Sequence, residues 1–169
     1  MTPAGAPPTL LLTSPDLTMH TLARRYIQTG IGFLGIGLIL GIYMLIRREI
    51  GGTWPHPYLV SAHTHAVFLG FVMFMILGVA LWIFPRPAKD DTRYKPGVAQ
   101  AVYWLLLTGT LARFVSEVAK AWSSEAWLGW VILLSGLAQA LGLVLFFWNM
   151  RSRIRPVGSQ AREAKGERF

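Results

Sequence analysis

Two histidines, His63 and His65, stand at the head of an apolar run from Leu59 to Phe84 that carries no charged side chain. Imidazole is the commonest metal ligand among side chains. An ionisable group at membrane depth is costly, and its default reading is a functional site. Two positions along a helix amount to about 200° of rotation, so the two rings point to nearly opposite faces and do not chelate one metal. His63 shares its face with Ala66, Val67, Gly70 and Phe74, small beside the imidazole and aromatic further in. A flat macrocycle can lie on such a surface, with His63 as metal ligand and Gly70 against the ring. The same histidine can also serve as a hydrogen-bond partner of another helix. His65, out of step with that face, reads as a structural, interfacial or supporting residue.

Arg113 and Glu117 are the other charged residues set within an apolar stretch. Their i, i+4 spacing suits an intrahelical pair. Arg113 also falls at a depth similar to that of His63, where a guanidinium can bind an anionic group of a cofactor. Arg47, Arg48 and Lys120 on the same rim can do the same work. Gln139 is expected to hydrogen-bond a neighbouring helix. Met73 and Met75 are read as packing residues, His56 in Trp54-Pro55-His56-Pro57 as a solvated loop residue, and His20 as lying across the bilayer from His63.

Positioning these groups requires membrane helices. The chain has 169 residues, 53% hydrophobic and 14% charged, with a mean hydropathy of +0.45; a globular soluble domain carries about a quarter charged residues. Four apolar stretches, about 26–46, 59–84, 98–122 and 126–150, each approach the roughly 20 helical residues that cross a hydrocarbon core. The expected fold is all-α and integral to the membrane: an antiparallel bundle of four transmembrane helices in one domain, 23–155. A flexible arm, 1–22, precedes it and a mobile tail, 156–169, follows. Gly37 and Gly41 make a G-x-x-x-G face on the first span, open to close approach by a helix or by a flat ligand. The charge-free part of the third span is short, which places Arg113 inside the helix near one end.

Lys and Arg are distributed twelve against three between the two sides, Arg113 apart, which puts both termini in the cytoplasm and His63 near the outer face. The net charge of +8 is then an orientation signal and a means of contact with anionic lipid, not a nucleic-acid footprint. The absence of cysteine excludes disulfides, thiolate metal sites and covalent C-x-x-C-H haem attachment. No nucleotide-binding or hydrolase motif is present.

The segment Ala23-Arg24-Arg25-Tyr26-Ile27-Gln28-Thr29-Gly30, then Ala62-His63-Thr64-His65-Ala66-Val67-Phe68-Leu69-Gly70-Phe71 running to Phe84-Pro85-Arg86, resembles the first two helices of the haem-copper oxidase catalytic subunit and its nitric oxide reductase relatives. The stretch from Leu133 to Gln139 and on through Phe147-Trp148-Asn149-Met150 to Arg155-Pro156 is similar to a later helix of the same families. The resemblance spans most of this chain but only a minority of the family's helices. It implies a low-spin haem b with His63 as axial ligand, and lacks the later helices that carry the opposite haem ligand, the copper ligands and the cross-linked His-Tyr pair. No binuclear centre is expected, hence no autonomous reduction of oxygen or nitric oxide. The implied role is electron transfer or binding of nitric oxide or a similar gas in a respiratory or denitrifying membrane, the inner membrane of a bacterium or archaeon. A homodimer would cover the haem edge, and a respiratory complex or small redox donor would supply electrons. The alternative is a non-catalytic accessory or assembly protein of an oxidase or nitric oxide reductase, with or without haem.

Overall fold

The computed structural model describes residues 15–85, 93–154, 162, 165 and 166. The described residues form four long helices and contain no strand: α1 (Pro15–Glu49), α2 (Pro57–Ile83), α3 (Pro96–Lys120) and α4 (Ala126–Met150). Each contains a stretch long and apolar enough to cross a membrane, Thr21–Glu49 in α1 and the whole of the other three. Residues 86–92, which hold Arg86 and the first part of the charged loop, most of the tail and the first fourteen residues of the arm lie outside the described residues. Within the stretch read as an arm, residues 15–22 are helical, and Leu22 and Ala23 are buried at the start of the first crossing.

Local chemistry sets the helix ends. α1 closes with Arg47 and Arg48 in its last turn, where cations favour the negative end of the helix dipole. Gly52 then takes a left-handed conformation, φ +62°, which glycine adopts without steric cost. α2 starts at His56, whose Nδ1 accepts the Tyr58 N–H at 3.3 Å, with Pro57 at the first helical position. His56 is exposed, as a loop residue would be, but its ring serves as the N-cap. α3 opens on Pro96. There the Asn149 side chain both accepts from the Lys95 N–H (2.9 Å) and donates to the Lys95 carbonyl (3.0 Å), tying the start of α3 to the end of α4.

Between Ala66 and Met73 the second helix is π-helical, a wide-turn variant that recurs beside functional sites. It begins immediately after His65.

Glycines bring α1 and α2 together. A Cβ on Gly37 would meet Val67 at 2.6 Å, one on Gly41 would meet His63 at 2.9 Å, one on Gly78 would meet Tyr26 at 3.0 Å, and Gly70 lies directly against the Phe33 ring. α3 and α4 meet in the same way, Gly142 against Leu106 and Gly109 against Ser135 and Gln139. Backbone contacts join α1 to α2, α2 to α3 and α3 to α4, with a lighter contact between α1 and α3; among the described residues the backbone of α4 runs close to α3 alone, and its side chains reach α1 through Phe146. Aromatic side chains fill the centre. The Tyr26 ring packs on Phe74, Tyr103 and Phe146 with centroids 5.4, 5.0 and 6.3 Å away, within the usual range for edge and tilted aromatic pairs. All seven tryptophans are exposed, and Arg48 and Arg151 lie over Trp54 and Trp148, as expected of amphipathic rings at membrane–water interfaces.

Candidate functional site

The two histidines part company as their spacing requires. His63 turns toward α1 and its Nδ1 lies 2.9 Å from the Gly37 carbonyl oxygen. A carbonyl only accepts, so Nδ1 carries the proton and, in the neutral ring, the lone pair is on Nε2. That second nitrogen has no hydrogen-bond partner among the described residues and is not sealed from the surface. The approach depends on two glycines. Any side chain at Gly41 would strike the ring, and Gly37 is covered by Val67. The face that the sequence left open to a helix or a flat ligand is thus occupied by the second helix, and Gly70 is occupied by Phe33 in the same manner. On the opposite side of α1, a Cβ at Gly32 or Gly35 would meet nothing.

His65 turns the other way, into a polar cluster between α2, α3 and α4. Its Nδ1 is 3.0 Å from Glu117 Oε2. Ser61 donates to Glu117 Oε1 at 2.9 Å, and Arg113 Nε donates to the same oxygen at 3.1 Å. The Glu117 side chain is 2% exposed, against 20% for His65 and 24% for Arg113. Arg113 Nη1 also donates to Gln139 Oε1 (3.1 Å), and Gln139 Nε2 donates to Thr110 (3.1 Å). A buried carboxylate is costly unless charge-paired and hydrogen-bonded, and here three donors from two helices meet those conditions. The i, i+4 pair of Arg113 and Glu117 forms, and Gln139 does bond a neighbouring helix. Arg113 and His63 are not brought together: one faces the cluster, the other faces α1.

At the opposite end lies a residue that sequence reasoning had counted only as a tail charge. Arg153, 2% exposed, donates to the carbonyls of Leu81, Phe84 and Pro85, each at 3.0 Å, and to the Met150 sulfur at 3.4 Å. It caps the carboxyl end of α2, where unsatisfied carbonyls and the helix dipole both favour a cation, and it covers the Tyr94 ring, 5.0 Å from its centroid. Burial holds the Arg153 pKa below its ordinary value and raises that of the Tyr94 phenol. Asn149, one turn earlier, is the available signal: an i, i+4 polar pair at the end of an otherwise apolar helix.

The family model for cytochrome c and quinol oxidase polypeptide I matches residues 21–163, most of the chain and all four membrane helices. The chain belongs to this family. No curated protein and no solved structure matches it. Membership together with four spanning helices makes it a multi-pass membrane protein related to the respiratory oxidases. Members of the family bind haem.

The residues present fit such a group at one point. Among the described residues no group of three or more His, Cys, Asp and Glu side chains could hold a metal ion. A porphyrin supplies its own four nitrogens and asks the protein for axial ligands. A histidine with one ring N–H fixed on a backbone carbonyl and the other nitrogen unpartnered has the arrangement typical of metal-ligating imidazoles. His63 meets that description. His65, oriented by Glu117 instead, adds a second fixed ring on the other face of α2.

Proposed function

We propose that this protein is a membrane b-type haem protein in which His63 Nε2 is an axial ligand. It would serve electron transfer, or the binding of nitric oxide or a similar gas, in a respiratory or denitrifying inner membrane. The observation that carries the reading is the His63 Nδ1–H bond to the Gly37 carbonyl at 2.9 Å. It fixes the tautomer, orients the ring and raises the basicity of the free nitrogen. When bound, haem would supply a one-electron couple whose potential follows axial ligation, burial and nearby charge.

The four helices are read as an antiparallel bundle with both termini cytoplasmic, from the twelve-to-three distribution of Lys and Arg. In that orientation His63 lies near the outer face. With Arg113 engaged by Glu117 and Gln139, the anchoring of haem carboxylates falls to the cations of the outer rim, Arg47 above all, whose side chain has no partner among the described residues. A homodimer would cover the haem edge, and the electron donor would be a respiratory complex or a small redox carrier.

The test is the haem-to-protein ratio by pyridine haemochrome in protein purified after expression with ample haem. A stoichiometric Soret band that disappears in His63→Ala is expected. Colourless protein overturns the reading and leaves the accessory role. A reduced spectrum that shifts on adding carbon monoxide would select gas binding over electron transfer.

A further inference from the structure

The half of α2 away from the histidines has two faces of different use. Phe74, Leu77 and Leu81 are buried in the core. Met75, Ile76, Val79, Ala80, Ile83 and Phe84 line a groove of about 390 Å³, within the roughly 300–1,000 Å³ typical of small-molecule sites. Ile76 and Ile83 are 49% and 68% exposed, so the groove opens outward. Ala80 is the smallest side chain in the lining and stands between Ile76 and Phe84, one turn from each on the helix surface. The hollow is the space that a larger residue there would fill.

Length and charge together indicate what fits it. From Met75 to Phe84 the groove follows α2 for about 14 Å at 1.5 Å per residue. That is close to half of the roughly 30 Å hydrocarbon core, the depth of one leaflet and of one acyl tail. α1 runs alongside: Gly30 faces Met75, and Ala23 and Ile27 face Gly78, so the contacts step toward Phe84 as α1 is followed back to its start. Arg24 lies between Ala23 and Ile27 in this contact stretch, and Arg25 follows it. Both arginines are exposed and pair with no carboxylate among the described residues. A guanidinium matches the geometry of a phosphate, and a long arginine stem can lie on apolar surface while its head stays at the interface.

We propose that the groove binds one anionic phospholipid, its acyl tail along Met75–Phe84 and its phosphate on Arg24 and Arg25. This is a discrete site, separate from the diffuse attraction of a chain of net charge +8 for anionic lipid. It is also independent of the haem, since neither the groove nor the two arginines belong to the His63 surroundings.

Native mass spectrometry of the full-length protein in mild detergent, titrated with phosphatidylglycerol or with phosphatidylcholine, tests the site. One phosphatidylglycerol per chain should be retained, more tightly than phosphatidylcholine. Each juxtamembrane cation contributes about fivefold to such binding, so the double variant Arg24→Gln/Arg25→Gln should weaken it roughly 20–30-fold. Ile76→Trp, at an exposed position of the lining, obstructs the groove with both charges in place and should weaken it at least fivefold. Arg151→Gln removes an exposed cation beyond the end of α4 and should leave the affinity unchanged. Equal affinity for the two lipids overturns the proposal, as does full retention of phosphatidylglycerol by the arginine double variant. Full retention by Ile76→Trp, or an equal loss in Arg151→Gln, would mean attraction to surface charge without a built site and overturns it as well.

Discussion

Gly41→Ala isolates the step on which the haem reading turns. A Cβ at residue 41 would lie 2.9 Å from His63 Cε1 and 3.3 Å from Nδ1, where ordinary contact begins at 3.4 Å. The ring therefore has to retreat by about half an ångström, taking the 2.9 Å bond to Gly37 past the roughly 3.2 Å limit of a good N–H···O bond. Loss of that bond is worth about 0.5–1.5 kcal/mol, and loss of a partner that orients a metal-bound histidine costs about 10–100-fold in affinity. Helix propensity works the other way, since alanine is favoured over glycine by about 0.8–1.0 kcal/mol within a helix. The fold should therefore hold while the cofactor leaves. Gly35→Ala is the control, with the same gain in propensity and nothing within 4 Å of the new methyl. Titration of apoprotein with haem should show at least a tenfold weaker binding for G41A, an unchanged affinity for G35A and a Tm within a few degrees of wild type for both. Equal haem affinity in the two variants would refute the claim that Gly41 seats the ligand.

Glu117→Gln leaves Arg113 facing a neutral amide inside the bundle, and removal of one partner of a buried ion pair costs about 3–5 kcal/mol; a Tm drop of about 10 °C or more is expected, while Gln139→Ala should cost less than half of that. Arg153→Ala uncaps the three carbonyls at the end of α2 and should destabilise by about 3 kcal/mol, measured by limited proteolysis at Pro85 and by Tm, whereas Arg151→Ala, exposed over Trp148, should be close to neutral. The pH dependence has a definite sign. Burial raises the folded-state pKa of Tyr94 above its ordinary value near 10, so the stability it confers is complete below about pH 10 and declines as pH rises through the raised pKa. A Tm titration from pH 8 to 11 should show this decline blunted in Tyr94→Phe.

Hydropathy alone located the four helices because each must bury its backbone in hydrocarbon, a demand written over some twenty residues at a time. The opposed directions of His63 and His65 were equally legible, being fixed by the rotation per residue. What lay beyond reach was set by contacts distant in the chain. Gly37 and Gly41 announce a close approach but not whether a helix or a ligand makes it; the answer depends on Val67 and His63, some 30 and 22 positions away along the chain. Arg113 at the depth of His63 was compatible with either of two partners until Glu117 and Gln139 were placed around its guanidinium. The π-helical register of Ala66–Met73 leaves no mark in composition, since every residue there is apolar in either register. Arg153 looked like one more basic residue after the last span, and only the carbonyls of Leu81, Phe84 and Pro85 reveal it as a cap.

The polar cluster has a bearing on how the two halves of the bundle align. Arg113, Glu117, Thr110 and Gln139 all belong to the α3–α4 hairpin and satisfy one another within it. Within that hairpin the Glu117 charge is already paired, by Arg113. Ser61 and His65 reach the same carboxylate from the other helix pair, one at each oxygen, so a single buried acid sets the register between the two halves of the bundle.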